Sequence, residues 1–191
     1  MRTLNLALAL SLLSAAALSA DLTINLMQKD KNLQVIIDGK LFTEYHGDTR
    51  VPCLYPLMSP SGTHLTRQHP FVKGVAGEKP DHPHHTGFWF THGNVNGHDF
   101  WHKDDCKIVT RGISEHKASQ KDGQATINFT ADLAWEAKGN PVILEQRHYE
   151  ITLAGKTRLI DVTSLMKPAG ENVTFGDTKE GSFAIRTAPS L

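Results

Sequence analysis

Residues 127–135 read INFTADLAW, with Ile127, Phe129, Ala131, Leu133 and Trp135 at every second position and Asn128, Thr130, Asp132 and Ala134 between them. Successive side chains of an extended chain point to opposite faces, so this alternation predicts a strand with one face buried. Asp122-Gly123 precedes it and Gly139-Asn140 follows, separating it from a second extended run, Pro141 to Leu153. Ala154-Gly155-Lys156 then turns the chain into a third, Thr157 to Met166. Three long antiparallel strands joined by short turns make a meander. Strands of roughly 10–13 residues exceed the usual 5–6 and predict a large curved sheet.

Upstream, Leu33 to Ile37 and Lys40 to His46 flank Asp38-Gly39, a pair suited to a tight primed turn, so this region reads as a hairpin. Arg50 to Ser59 is a further apolar extended stretch, ending in the turn-like Ser-Pro-Ser-Gly. Helical periodicity is scarce and no internal repeat or linker is present. The expected architecture is all-β, an antiparallel β-sandwich, in one domain spanning residues 21–191.

Residues 1–20, MRTLNLALALSLLSAAALSA, have Arg2, an apolar run from Leu4 to Leu13 and small residues through Ala20. This is the pattern of a secretory signal peptide cut after Ser19 or Ala20, and the run is shorter than the roughly 20 residues a spanning helix needs. A secreted or periplasmic product with no membrane span after cleavage is expected. In an oxidising compartment Cys53 and Cys106 could bridge; buried free thiols are the other reading. Twenty Lys and Arg balance twenty Asp and Glu. No basic excess marks a nucleic-acid partner.

Histidine is the compositional anomaly: eight of the eleven fall between His64 and His102. Asp81 to Trp101 reads DHPHHTGFWFTHGNVNGHDFW, broken by Pro83, Gly87, Gly93 and Gly97. It is expected to be part strand, Phe88 to Thr91, and part loop. His82 and His84 project to one face of an extended segment, with His85 opposite. A His-x-His pair can begin a divalent-metal site, but Pro83 spoils regular pairing and no Glu follows within a dozen residues. Neutral imidazoles can instead move protons near pH 7, with Asp81 or Asp99 setting a tautomer. Trp89, Phe90 and Trp101 could pack on a sugar ring, although Phe88 and Phe90 share a face suited to a core.

A second polar cluster, FGDTKEGSFAIR (175–186), puts Asp177, Lys179 and Glu180 in one turn before a strand from Phe183 to Thr187. It lacks the spacing of a phosphate loop. Arg67 and Glu145, in LEQR (144–147), would need partners if buried. There is no GxSxG, and Cys53 sits in apolar VPCLY, so a nucleophile scheme gains little support.

Taken together, DHPHHTGFWFTHGNVNGHDFW and FGDTKEGSFAIR resemble a bacterial family of unknown function often labelled "methane oxygenase PmoA". YPLMSPSG (55–62), Thr66-Arg67 and Glu145-x-Arg147 fall in the same pattern, so the resemblance covers the mature chain. Methane oxidation itself is not implied, since the particulate enzymes are membrane-embedded and this chain has no later spanning run. The resemblance implies a layout similar to the galactose-mutarotase-like supersandwich, in which histidines and a carboxylate act on a sugar ring. It also implies that the chain is the N-terminal part of a domain continuing for roughly another hundred residues, with an incomplete sandwich and an exposed, aggregation-prone edge.

The expected function is therefore a secreted or periplasmic carbohydrate-active protein taking a small-molecule or glycan substrate, by hydrolysis, epimerisation or lyase chemistry. His82, His84, His85, His92 and Glu180 are the candidate acid–base groups. Arg67, Asp99, Trp101, Asp177 and Lys179 are the candidate substrate-binding groups. No cofactor is expected; a divalent metal on His82 and His84 and a non-catalytic sugar-binding or envelope module are the alternatives.

Overall fold

A computed structural model describes residues 22–121 and 123–191. The signal peptide expected over residues 1–20 lies outside them. Ten strands and, among the described residues, no helix make up the chain: β1 (Ile24–Lys29), β2 (Asn32–Ile37), β3 (Lys40–His46), β4 (Cys53–Leu54), β5 (Phe88–Phe90), β6 (Cys106–Lys121), β7 (Gln124–Ala137), β8 (Asn140–Ala154), β9 (Thr157–Pro168) and β10 (Phe183–Ile185). They form two antiparallel sheets, ordered β1-β2-β3-β4-β5-β10 and β6-β7-β8-β9. The all-β sandwich expected from the alternation is the fold. No described helix is long and apolar enough to cross a membrane.

The meander has four long strands, one more than the alternation reveals. β6 runs 16 residues and pairs along β7, but its register shifts between Thr110 and Gly112 and again between Ser114 and Lys117. Two bulges break the period of two, and the half from Glu115 to Lys121 is exposed on both faces. Neither signal survives in the sequence. The β7–β8 turn also lies one residue earlier than expected: Lys138 and Gly139 both take positive φ (51° and 82°), and Asn140 opens β8. Asp38 and Gly39 do the same in the β2–β3 hairpin (50° and 72°), the backbone of a type I′ turn. The stretch from Arg50 to Ser59 contributes only Cys53 and Leu54 to a strand, because Pro52 and Pro56 on either side have no N–H to give a ladder.

Between the sheets, the odd-numbered residues of β7 meet the inward face of β3 and β8. Tyr45 makes edge contacts with Phe129 and Tyr149, which stack on each other with centroids 4.6 Å apart. Trp135 packs on Phe90 and Phe100. One polar group is carried into this core. Glu145 and Arg147 are two apart on β8, so both point inward, and both are buried. The Glu145 carboxylate accepts from Arg147 Nε (2.7 Å) and Nη2 (2.8 Å), Trp135 Nε1 (2.6 Å) and Ser164 Oγ (2.7 Å). Arg147 also lies over the Phe90 ring at 5.2 Å. Desolvation opposes the Glu145 charge, yet Arg147 and these donors outweigh it and hold the carboxyl below its usual range.

Register fixes which residues face away from this core. Leu54 pairs with Phe88 and Tyr45 with Leu54, all on the inner face; Cys53 and Trp89 pair on the outer face. Phe88 and Phe90 thus share the inner face, as expected, and Trp89 points the other way. On β10 the same parity puts Ala184 on the outer face, paired with Trp89, and Arg186 beyond it on that face; Phe183 and Ile185 are on the opposite face, where both are exposed. Cys53 and Cys106 are free and buried, so the bridging alternative does not hold. Burial pushes the Cys53 thiol up to about 12.

Candidate histidine site on the outer sheet face

The long loop between β4 and β5 folds back over the outer face of the six-stranded sheet. His82-Pro83-His84-His85 is a turn closed by His85 N–H donating to the His82 carbonyl (2.9 Å). Proline suits the second position of such a turn, which explains why the segment is not extended. The separate faces expected for His82 and His85 are accordingly replaced by a stack. Their rings lie 4.9 Å apart at 18°, and His84 is 4.5 Å from His85 and 5.8 Å from His82. His85 stacks in turn on Trp89 (5.3 Å) and edges Trp101 (6.0 Å).

Arg67 holds the turn from below. It is 2% exposed, and it donates to Asp81 Oδ1 (2.7 Å), the His82 carbonyl (2.9 Å) and the Lys79 carbonyl (3.4 Å). Its bond, followed by weaker help from His82 and Arg186, keeps the Asp81 carboxyl below its ordinary range. Arg67 was expected to meet substrate; its donors are directed instead into the loop it carries.

The fourth imidazole comes from the loop before β6. Asp99 Oδ1 accepts the backbone N–H groups of Trp101 (2.8 Å) and His102 (2.9 Å), and Oδ2 lies 3.0 Å from His102 Nδ1. A carboxylate only accepts, so Nδ1 carries a proton toward Asp99. Desolvation raises the Asp99 carboxyl, but these bonds more than offset it and leave it low. The His102 ring is 5.0 Å from His84, and Nε2 is 3.7 Å from Glu180 Oε1, which also pairs with Lys179 Nζ at 3.3 Å. Arg50 fixes this loop by donating to the carbonyls of Phe100, Trp101, Lys103 and Cys106.

The segment 174–182 docks against the glycine-rich one. Asn96 N–H donates to the Thr174 carbonyl, Gly176 N–H to the Asn94 carbonyl, and Thr174 N–H to Asn96 Oδ1. His92 lies here, with Nδ1 at 2.8 Å from Ser182 Oγ and Nε2 at 2.9 Å from the Gly176 carbonyl. Both ring nitrogens are engaged, so His92 pins the segment that delivers Glu180.

The structure therefore brings His82, His84, His85, Asp99, Trp101, Lys179 and Glu180 into one patch. Arg67 lies beneath it, His92 beside it, and Asp177 is exposed on the docked turn. Sequence reasoning missed His102 and Arg186. Asp99 three residues before His102 is the one local signal for the first; Arg186 joins through strand parity that only the register supplies. Trp89 and Trp101 are each 4% exposed, so they form a floor under His85 and leave no open ring face. Among the described residues no three His, Cys, Asp or Glu side chains are placed to hold one metal ion.

Burial first, then coupling to the His84 and His82 rings and the charges of Arg186 and Arg67, push the His85 ring down to about 4. His84 is lowered by burial first, then by His102, His82 and Arg50, against the opposing pull of Glu180. Both imidazoles are neutral at pH 7.

The fold and site define an antiparallel β-sandwich protein with a histidine-rich patch on the outer face of its larger sheet. The chain belongs to the family of unknown function DUF6807, which matches residues 32–191. This corrects the resemblance drawn from the sequence motifs: the matching family carries no methane-oxygenase label. No curated protein and no solved structure matches the chain.

Proposed function

We propose that the patch is an acid–base site acting on carbohydrate, in a protein exported to the periplasm or beyond. The observation that carries this reading is the pairing of two environments. His84 and His85 are uncharged imidazoles available to accept protons, and beside them Asp99 orients His102 toward Glu180. A base held in one tautomer by a carboxylate is the arrangement that proton abstraction needs. Glu180, 3.7 Å from His102 Nε2, sets a carboxylate beside this imidazole, so that both groups address the same side of a ligand. Lys179, 81% exposed, is free to reach ligand oxygens. Hydrolysis, epimerisation and elimination all draw on such a pair.

The export signal read in residues 1–20 supports the compartment. The test is turnover on a panel of glycosides and free sugars by the wild type and by His85→Ala and His102→Ala. Removing a positioned acid or base lowers rates by about 10²- to 10⁴-fold. Unchanged turnover in both variants would remove the imidazoles from the mechanism. Saturable binding with no turnover in the wild type would make the patch a binding module instead.

A further inference from the structure

The patch carries one partly exposed guanidinium whose donors are largely unspent. Arg186 follows β10 on the outer face, beside Gly87 and two residues beyond the Ala184–Trp89 pair; its side chain is 38% exposed, and its one polar side-chain contact is Nη2 to Asp81 Oδ1 at 3.5 Å. Asp81 is already committed to Arg67 at 2.7 Å, so it offsets Arg67 and leaves most of the Arg186 charge uncompensated. Trp101 Nε1, buried next to His85, has no partner, and neither has Arg67 Nε. Across the patch, Asp99 and Glu180 face the cations Arg50 and Lys179 as well as His102. The side holding His82, His84 and His85 therefore faces Arg67, Arg186 and Asp81 with a surplus of positive charge. The exposed Arg186 guanidinium calls for an acceptor-rich, negatively charged group.

We propose that Arg186 anchors a carboxylate on the ligand, so that this site takes an acidic sugar of the uronate type in preference to a neutral one. The inference rests on the carbohydrate reading above and names its substrate class. A guanidinium binds a carboxylate through two parallel N–H···O bonds, which fixes the ring's orientation over the imidazoles as well as its charge. The coupling to protons follows. His85 is held neutral by burial first and by the cations Arg186 and Arg67 as well, and a bound anion offsets the part that the cations contribute. Its proton affinity rises in the complex, and carboxylate affinity rises as pH falls from 7 toward about 4.

Isothermal titration of the full chain with D-galacturonate, D-galactose and acetate, each in two buffers of different ionisation enthalpy, tests this. Galacturonate is expected to bind at least about tenfold more tightly than galactose, with proton uptake on binding. Arg186→Ala should erase that margin and Arg186→Lys keep part of it. The backbone bonds of Arg186, its N–H to the Gly87 carbonyl and its carbonyl to Arg67 N–H, are untouched by either change. A circular-dichroism melt superimposable on wild type confirms the fold. Equal or tighter binding of galactose overturns the acidic-sugar inference and leaves the carbohydrate reading standing. Acetate binding that Arg186→Ala abolishes, with neither sugar bound more tightly than acetate, keeps the anchor and removes the sugar. No binding by any probe removes both.

Discussion

Removing the Glu145 carboxylate should be among the most damaging single changes available to this chain. Glu145 and Arg147 are buried together, and the carboxylate receives four donors within 2.8 Å. Glu145→Ala leaves the guanidinium uncompensated in the sandwich core, strands Trp135 Nε1–H and Ser164 Oγ–H, and opens a small void. Breaking one partner of a buried pair costs about 3–5 kcal/mol, a large share of a typical domain's 5–15 kcal/mol. At about 2–4 °C per kcal/mol for a domain of this size, the melting temperature should fall by about 6–20 °C. Urea unfolding followed by tryptophan fluorescence reads the change directly, because Trp135 is at the pair. Glu145→Gln is the milder variant, keeping volume and some hydrogen bonding, should the alanine form fail to fold. The double variant Glu145→Leu with Arg147→Met should recover most of the loss, since an apolar pair needs no compensation. The wild type carries its own check in acid. The Glu145 carboxyl is lower in the folded state than in the unfolded chain, so its stabilisation is complete above the unfolded value near 4.3 and is lost as pH falls through the folded value. A loss below about 1 kcal/mol in Glu145→Ala, or a double variant as weak as the sum of the two singles, would refute the claim that the pair is held by mutual compensation.

Gly87 has φ +65°, and a Cβ there would meet the Leu54 carbonyl oxygen at 2.4 Å, whereas Gly62, at φ +86°, has open space. Gly87→Ala should therefore cost clearly more than the about 1–2 kcal/mol of left-handed strain expected for Gly62→Ala; equal costs in urea unfolding would contradict the close approach. Burial pushes the Cys53 thiol up to about 12 and also raises Cys106, so neither should react with a disulfide reagent at pH 8 until the chain unfolds, and both should then react. Fast labelling of the native protein would show that one of them is accessible.

The part of the fold carried by side-chain alternation was legible in the sequence, and the part carried by backbone register was not. β7 and β8 keep a period of two over residues 125–135 and 143–153, where their odd-numbered positions face one core. β6 loses the period at its two bulges, and exposed β1 has little inward face to betray it. The site divides in the same way. The histidines announce themselves by composition, and Glu145-x-Arg147 announces a buried pair by its spacing on a strand. Arg186 reaches the outer face beside the histidine loop only because β10 pairs with β5 in a register that sets Ala184 opposite Trp89. The turn at His82 to His85 depended on reading Pro83 as a turn former rather than as an interruption of a strand.

Several departures from local structural rules fall in this patch. His82 adopts a positive φ (44°) with no glycine's freedom to do so, and Trp101 Nε1 and Arg67 Nε are buried without partners. His84 and His85 lie ring to ring with no hydrogen bond in the network that surrounds them. Such costs persist where the surrounding structure over-determines them. Here it does: Arg67 props the turn from beneath, Arg50 clamps the loop that carries Trp101 and His102 by four carbonyls, and His92 ties down the segment that carries Glu180. Three separate polar anchors, each placed behind the patch and none of them part of its exposed surface, hold four imidazoles at fixed separations. A loop that served only to cover the sheet would gain nothing from crowding neutral imidazoles beside an uncompensated guanidinium, and apolar side chains would cover Trp89 with less conflict. The cost becomes intelligible when the patch has an occupant whose negative charge and acceptor oxygens relieve it. The two measurements that bear on this are the acidic-sugar titration and the response of His85 to it, because a merely structural cluster would move in neither.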